Sequence, residues 1–150
     1  MDIEDLLKLL NARAVDYVVI GAQALPVHGY TRNTTDLDLF IRPEPANAAR
    51  VIEALREFGY DVSDLTVEDV LTYKVLLRQY ALESDIHPSV TGIDFDQVWK
   101  NRVSNLFGDT PASFASLDDL IQMKQAANRP KDQEDLKFLL EIRRRRGQPL

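Results

Sequence analysis

The sequence predicts an α+β fold (mixed α/β), in which a small mixed β-sheet is flanked by helices. Two hydrophobic patterns support this prediction. Apolar residues recur at helical spacing near both ends and in the middle of the chain, and short β-prone runs lie between these segments. Because helices and strands are interspersed along the chain, we expect one sheet with helices packed against it.

The elements of the first half follow from apolar spacing and from the residues that end each run. Gly21 ends the first β-prone run, and Pro43 ends the second. Pro45 suits the first position of a helix, and Gly59 suits the residue that closes it. The predicted elements are a helix over 3–14, a strand over 17–20, a helical turn over 22–25, a strand over 37–41, and helices over 46–58 and 66–71.

The second half is predicted to begin with a hairpin and to end with a pair of helices. Phe95 and Trp99 stand four residues apart, which fits a helix anchored on the core. Ser116 and Asp119 form a capping-box pattern, and Pro130 suits a helix start. The predicted elements are strands over 73–78 and 81–86, a weak strand over 103–107, a turn at 108–109, a helix over 116–128 and a final helix from 130.

Composition narrows the class of protein. A chain of 150 residues with 45% hydrophobic content is expected to form a single domain over 1–150. Without cysteine it has neither disulfides nor zinc–thiolate sites. The N-terminus is acidic and no apolar run approaches about 20 residues, so we expect no signal peptide and no membrane span, and a cytoplasmic location.

The net charge and its distribution indicate the class of binding partner less clearly than the composition indicates the class of protein. The net charge of −6 argues against broad binding to a duplex phosphate backbone. One dense basic cluster, residues 143–146, lies near the C-terminus. Four arginines there complement the helix dipole at a solvated helix end, and this interpretation is favoured over a contact with nucleic acid or a partner.

The most informative tetrapeptide is Asp36-Leu37-Asp38-Leu39. Side chains alternate between the two faces of a strand, so Asp36 and Asp38 are expected to share one face while the leucines face the core. Two neighbouring carboxylates repel each other unless a cation or a donor lies between them. Magnesium takes such oxygen ligands together with substrate phosphates. By itself the pair also fits a solvated strand edge.

The surroundings of the pair strengthen the case for a metal site. Upstream, Gly21 and Ala22 lead from a strand into a helical turn, where the backbone can approach a phosphate closely. Downstream, a β-prone run carries Glu83 and Asp85, which would share a face. We favour Asp85 as the third carboxylate of a two-ion site because it lies between the strand and the loop after it.

These motifs resemble a known family. The run 17–22, the thirteen residues 23–35 and the motif 36–39 together resemble the signature of the DNA polymerase β-like nucleotidyltransferase superfamily. That signature is a hydrophobic residue, glycine, then glycine or serine, a spacer, and two carboxylates separated by a hydrophobic residue. The chain is most similar to small prokaryotic members, the minimal nucleotidyltransferases and AbiEii-like toxin proteins. Segments 116–124 and 129–136 resemble the C-terminal helical pair of that group.

The resemblance implies a nucleotidyltransferase fold and a reaction. A nucleoside monophosphate would pass from a nucleoside triphosphate to a hydroxyl group of a small molecule, a tRNA or other RNA, or a protein. Asp36, Asp38 and Asp85 would bind two Mg²⁺ (or Mn²⁺) ions, and Asp85 would help to activate the acceptor hydroxyl. A homodimer or a partner chain could complete the acceptor site.

The resemblance also implies a set of nucleotide-binding residues. Gly21 and the backbone at Ala22 would hold the phosphates, Arg32 would add a phosphate contact, and Lys124 and Asp132 match positions that face the active site. Ala22 departs from the family pattern because it offers no hydroxyl, and this departure puts catalysis in doubt.

Several of these residues have simpler interpretations. Lys124 could be a surface lysine, Asp132 could serve the dipole of the last helix, and Arg32 could be a solvated loop residue. His28 and His87 show no metal-ligand spacing and are interpreted as structural or surface residues.

Two other functions stay open. One is a catalytically degenerate nucleotide-binding module, for example a component of a toxin–antitoxin pair. The other is a nucleotide-sugar glycosyltransferase with an Asp-x-Asp metal motif, which ranks last because such enzymes need a larger domain.

Overall fold

The computed structural model of the protein describes residues 2–32 and 34–147. The helices are α1 (Ile3–Ala12), α2 (Pro45–Phe58), α3 (Val67–Thr72), α4 (Phe95–Asn101), α5 (Leu117–Ala127) and α6 (Pro130–Arg146). The strands are β1 (Tyr17–Ile20), β2 (Asp36–Ile41), β3 (Val75–Leu77), β4 (Glu83–His87), β5 (Val103–Phe107) and β6 (Thr110–Phe114). Two short 3-10 turns, Gly21–Ala24 and Pro26–His28, follow β1.

The strands form one mixed sheet in the order β3-β4-β2-β1-β6-β5. The pairs β2–β4 and β1–β6 are parallel, and the pairs β1–β2, β3–β4 and β5–β6 are antiparallel. All four residues of β1 are buried, as expected of a strand near the centre of a sheet covered by helices. The predicted α+β fold with a mixed sheet and a C-terminal helical pair is therefore confirmed.

Local sequence signals fix several of the helix ends. Pro45 occupies the first turn of α2, and Gly59 closes that helix in the left-handed region with φ 110°. Ser116 caps α5 by accepting a hydrogen bond from the backbone N–H of Asp119. The expected reciprocal half of that capping box is absent, because the Asp119 carboxylate instead accepts hydrogen bonds from Gln97 and Asn101 of α4. These hydrogen bonds connect α4 to α5.

The sequence-based prediction missed one strand of the sheet. Residues 110–114 form β6, which pairs along its whole length with β5 and also with β1. The run Thr-Pro-Ala-Ser-Phe is poor in branched residues and contains Pro111, so it gives little strand signal. Phe95 packs edge-on against Phe40 of β2 and stacks on Trp99, which confirms these two residues as core anchors of α4.

His28 connects the second 3-10 turn to the C-terminal part of the sheet. Its ring is buried, and its Nε2 atom lies 2.8 Å from the carbonyl oxygen of Ala115. Its Nδ1 atom lies 3.4 Å from the Arg146 guanidinium, a donor, so Nε2 carries the proton and donates to Ala115. Burial lowers the pKa of His28; the hydrogen bond to Ala115 opposes this shift, and the charge of Arg146 adds to it.

We expect this histidine to make the fold acid-sensitive. The unfolded chain binds a proton at His28 as the pH falls through 6.5, whereas the folded chain does so only at lower pH. Stability at this site is therefore fully present above that pH and decreases below it. His28→Gln keeps a donor for Ala115, so its urea midpoint should fall less than that of the wild type between about pH 7 and pH 5.5. An equal fall in both proteins would assign the effect to other groups.

The remaining sequence predictions concern the basic cluster and the membrane. Arg143, Arg144, Arg145 and Arg146 occupy the last turn of α6, as expected for cations at a helix end. Arg144 and Arg145 pair with Glu141 one turn earlier. Within residues 2–32 and 34–147, no helix has the length and apolar character needed to span a membrane.

Candidate active site

The predicted carboxylates meet at the parallel pair β2–β4. Asp36 lies opposite Glu83 in the register, and Asp38 lies opposite Asp85. Leu37 is fully buried, while Asp36 is exposed and Asp38 half-buried, so the two aspartates share the face away from the core. The structure therefore brings Asp85 beside Asp38.

A histidine that the sequence interpretation set aside belongs to the same cluster. His87 Nε2 lies 2.9 Å from Asp38 Oδ1. Potential ligand atoms of Asp38, Asp85 and His87 all lie within 4.8 Å of one another. The predicted strand is corrected at this point: β4 runs to His87 rather than ending at Ile86, and alternation puts His87 on the face of Asp85.

The Asp85 carboxylate has spare acceptor capacity. Its Oδ1 atom is buried and accepts no aligned hydrogen bond. Arg78 Nη1 lies 2.7 Å from this oxygen as its ion-pair partner, and the Arg78 side chain is 43% exposed. A buried carboxylate oxygen needs a positive partner, and a divalent ion could take the place of this guanidinium. The donor set of this cluster therefore suits a divalent metal ion.

Gly21 gives the Asp38 carboxylate room. It has a φ of 70°, and a Cβ atom added there would lie 2.7 Å from Asp38 Oδ2. A side chain at this position would thus clash with the carboxylate, and its backbone would be strained in the left-handed region. The segment after Gly21 is a four-residue 3-10 turn rather than a longer helix, so its backbone N–H groups, and not a helix dipole, are what it offers to an anion.

Replacing Gly21 with alanine should disturb Asp38. The left-handed backbone alone is expected to destabilise Gly21→Ala by about 1–2 kcal/mol. Gly29→Ala is a matched control, because Gly29 has a φ of 93° with no atom within 4 Å of the added Cβ. Both variants should unfold at lower urea concentration, but only Gly21→Ala should move the ¹⁵N resonances of the His87 ring that contacts Asp38. Similar shifts in the two variants would contradict a specific clash.

A cavity of about 340 Å³ opens over the carboxylate cluster. Gly21, Asp36, Asp38, Asp85 and His87 line one side of it, and residues of α5 and α6 line another. Four cationic side chains also reach the cavity: Lys74, Lys124, Arg129 and Lys131. Carboxylates beside cations suit a ligand that carries both a metal ion and phosphate groups. Of these cations, only Lys124 was predicted as a site residue; Arg129 and Lys131 lie in the segment 129–136, where the prediction singled out Asp132 alone.

Lys124 is buried rather than at the surface. Its Nζ atom lies 3.0 Å from Asp135 Oδ2 and 3.3 Å from Asp132 Oδ1, and both carboxylates are almost completely inaccessible to solvent. Burial by itself raises the pKa of Asp132, but hydrogen bonds from the Arg129 side chain and backbone and the charge of Lys124 outweigh it, so the pKa is lowered. Lys124 and Asp132 line the cavity, so the predicted pair does face the cluster.

Arg32 and Ala22 occupy different surroundings from those of the other predicted residues. Arg32 Nη2 lies 3.4 Å from Asp135, and Arg32 is not among the residues that line the cavity. Tyr30 donates a hydrogen bond to the same aspartate. Ala22 is buried and does not line the cavity either. Asn33, within the spacer 23–35, lies outside the described residues.

A mixed sheet with aspartates on adjoining strands beside a glycine turn is the architecture of a nucleotidyltransferase fold. The chain belongs to a family described as "Nucleotidyltransferase of unknown function (DUF6036)", whose model matches residues 1–140. The resemblance to small nucleotidyltransferases inferred from the sequence is thereby confirmed. No curated protein matches the sequence significantly.

Solved structures show the same fold at low sequence identity. A Thermotoga maritima protein, TM1012, provisionally assigned as a nucleotidyltransferase, is 17% identical, with a TM-score of 0.62 over 91% of this chain and 88% of its own. The lincosamide antibiotic adenylyltransferase LnuA, in its lincomycin-bound form, is 18% identical, with a TM-score of 0.61 over 91% of this chain and 93% of its own. At such low sequence identities, this structural similarity shows a shared fold.

Proposed function

We propose that the protein transfers a nucleoside monophosphate from a nucleoside triphosphate to a hydroxyl group, with release of pyrophosphate and with the help of divalent cations. Family membership supports nucleotidyl transfer as the class of reaction. The observation that carries the proposal is the parallel register that sets Asp38 beside Asp85, with Gly21 packed against Asp38. Three carboxylates on two adjoining strands provide ligands for hard cations in a cavity that also offers phosphate-binding groups.

The three carboxylates would have different roles in the reaction. Asp36 and Asp38 would hold two Mg²⁺ or Mn²⁺ ions, with Asp85 as the ligand from the neighbouring strand. When bound, these ions would stabilise the attacking and leaving oxygens of an in-line displacement. Asp85 would also accept the proton of the acceptor hydroxyl, since a positioned carboxylate can act as a general base.

Cationic residues and the glycine turn would hold the triphosphate. Arg129 and Lys131 at the start of α6 and Lys74 before β3 line the same cavity as the carboxylates. Lys124 would add its charge from α5, although it is already paired with two aspartates. The backbone at Gly21, which lines the cavity, would donate to phosphate oxygens, and that at Ala22, which is buried outside the cavity lining, would do so after a shift of the turn. Arg32, which faces Asp135, would contact phosphate only after leaving that ion pair.

The acceptor is proposed to be a hydroxyl-bearing small molecule, with tRNA and protein as alternatives. The structural similarity to an adenylyltransferase solved with lincomycin supports a small-molecule acceptor. The cavity of about 340 Å³ is near the lower end of the range for one drug-sized ligand. A second copy of this chain or a partner chain would therefore supply part of the acceptor site.

The test is transfer of label from α-³²P-labelled nucleoside triphosphates in the presence of Mg²⁺ or Mn²⁺. The acceptor arms are lincomycin and other hydroxylated antibiotics, bulk tRNA, and the protein itself. We expect metal-dependent labelling in one arm by the wild type and a loss of at least about 10³-fold in Asp36→Asn/Asp38→Asn. Equal labelling by the two proteins would contradict the proposal.

Ala22 favours a second candidate, a nucleotide-binding module without transferase activity, such as a toxin–antitoxin component. An alanine there supplies no hydroxyl donor to phosphate. Calorimetry with a nucleoside triphosphate and Mg²⁺ separates the two candidates. Binding without turnover in any acceptor arm would favour the module, and absence of binding would count against both.

A further inference from the structure

We propose that His87 is a direct ligand of the divalent cation, so that the site combines an imidazole nitrogen with carboxylate oxygens and favours Mn²⁺ over Mg²⁺. The inference rests on the proposed function, because it concerns the cation of that reaction. It adds a nitrogen ligand to the carboxylates of the proposed site and thereby changes which ion the site prefers.

The backbone of β4 directs His87 toward the cluster. Ser84 and Ile86 are buried beneath the sheet, so alternation puts Glu83, Asp85 and His87 together on the opposite face. In the parallel register Asp38 lies opposite Asp85, and His87 is the diagonal neighbour of Asp38, two residues further along β4. The imidazole bends back toward Asp38 and is mostly shielded from solvent.

The distances fit ligands that share one ion. Two ligand atoms bonded to one ion at about 2.1 Å lie about 3.0 Å apart when adjacent on an octahedron and about 4.2 Å apart when opposite. His87 Nε2 and Asp38 Oδ1 are 2.9 Å apart, and all three ligand atoms lie within 4.8 Å of one another. Side-chain shifts of a few tenths of an ångström would bring the three onto one ion.

The buried Oδ1 atom of Asp85 has one charged partner in the structure, Arg78 Nη1 at 2.7 Å. Asp38 and His87 lie beside the same carboxylate. Arg78, which approaches this oxygen from the exposed side, can withdraw into solvent. A cation bound between Asp38, Asp85 and His87 would satisfy the buried oxygen.

A nitrogen ligand changes the preference of the site. Magnesium binds oxygen ligands in near-ideal octahedral geometry and dehydrates reluctantly. Imidazole suits first-row transition metals, and affinity of a mixed nitrogen and oxygen site rises from Mn²⁺ through the later ions. Of the two ions proposed for this site, Mn²⁺, as a first-row transition metal, accepts an imidazole ligand more readily than Mg²⁺ does. Replacing His87 with glutamine, which offers an oxygen, should therefore weaken Mn²⁺ binding more than Mg²⁺ binding.

Affinity alone would not prove ligation. The 2.9 Å contact is also a hydrogen-bonding distance, and removing a residue that merely orients a metal ligand lowers metal affinity by about 10–100-fold. A direct Mn–N bond has a distinct signature, since the nuclear spin of a coordinated nitrogen modulates the electron spin echo of Mn²⁺. That signal separates a ligand from a residue that only positions Asp38.

The experiment uses the whole chain with Mn²⁺ and inorganic tripolyphosphate, a probe that supplies phosphate oxygens and no nitrogen. The chain contains two histidines, so His28→Gln is a matched control for His87→Gln. We expect nitrogen modulation in the wild type and in His28→Gln, its loss in His87→Gln, and a fall of at least about tenfold in the preference for Mn²⁺ over Mg²⁺. Histidine-selective ¹⁵N labelling of the wild type should change the modulation, which tests the assignment without any substitution.

Each contrary outcome has its own meaning. Bound Mn²⁺ without nitrogen modulation, or modulation that follows His28, would overturn the His87 ligand and leave the carboxylate site of the proposed function intact. Absence of Mn²⁺ binding would overturn this inference and also count against the metal dependence of the proposed reaction.

Discussion

Asp85→Asn is expected to lower kcat of nucleotidyl transfer by about 10²–10⁴-fold, the usual contribution of a general base, while changing KM for the nucleotide much less. Asp36 and Asp38 would remain as cation ligands on β2, and the asparagine side-chain oxygen could still coordinate the ion, whereas its amide cannot accept a proton from the acceptor. Steady-state kinetics with the acceptor that the transfer assay identifies would measure this split. Parallel losses in kcat and nucleotide affinity would instead assign Asp85 to nucleotide binding.

Glu83→Gln is the matched control for this prediction. Glu83 precedes Asp85 by two residues on the same face of β4, lies opposite Asp36, and is exposed. From the sequence both carboxylates competed for the role of third ligand. We expect Glu83→Gln to change kcat by less than about threefold, because solvent screens an exposed carboxylate. A larger loss in Glu83→Gln than in Asp85→Asn would reverse the assignment.

Lys124→Met is expected to destabilise the protein by about 3–5 kcal/mol, since removal of one partner leaves buried charge uncompensated. Lys124 Nζ lies within 3.3 Å of Asp132 and Asp135, whose side chains are each 1% exposed. Asp132 keeps the Arg129 guanidinium as a partner. Asp135 keeps the more distant Arg32 guanidinium and the Tyr30 hydroxyl. The loss should therefore fall mainly on Asp135 and lie near the lower end of this range. Urea unfolding followed by circular dichroism would measure the change.

Two further variants test the origin of this loss. Lys137→Met removes an exposed lysine from the same helical pair and should change stability by less than about 0.5 kcal/mol. Adding Asp135→Asn to Lys124→Met removes the uncompensated charge and should recover part of the stability. A double variant as unstable as, or less stable than, Lys124→Met would show that lost packing, and not charge, dominates.

Much of the fold could be predicted because local signals and the final packing agree. The helix from Pro45 to Gly59 has its proline, apolar stripe and glycine cap within one contiguous segment, and the structure matches it closely. The shared face of Asp36 and Asp38 follows from alternation alone, which any strand at this place must obey. Such features need no knowledge of the rest of the chain.

Other features depend on tertiary contacts that a single sequence does not display. Thr110–Phe114 becomes a strand because β5 and β1 both pair with it, which outweighs its weak propensity. The sequence left open whether Lys124 lies at the surface or in the site, because its burial depends on α6, which brings two aspartates against it. The position of His87 could have been predicted, because Glu83, Asp85 and His87 alternate along one strand. The predicted strand stopped one residue too early, at Ile86.

The pairing of β2 with β4 also bears on the order of events in folding. Asp38 and Asp85 are 85 − 38 = 47 positions apart, and a parallel pair can form only after the chain between them, with α2, α3 and β3, has crossed over. Non-local parallel contacts form slowly because loop-closure entropy is lost before they are made. During refolding, helical ellipticity should therefore return before the affinity for Mn²⁺ does. Binding of the proposed Mn²⁺ ion would then report the step at which β4 pairs with β2.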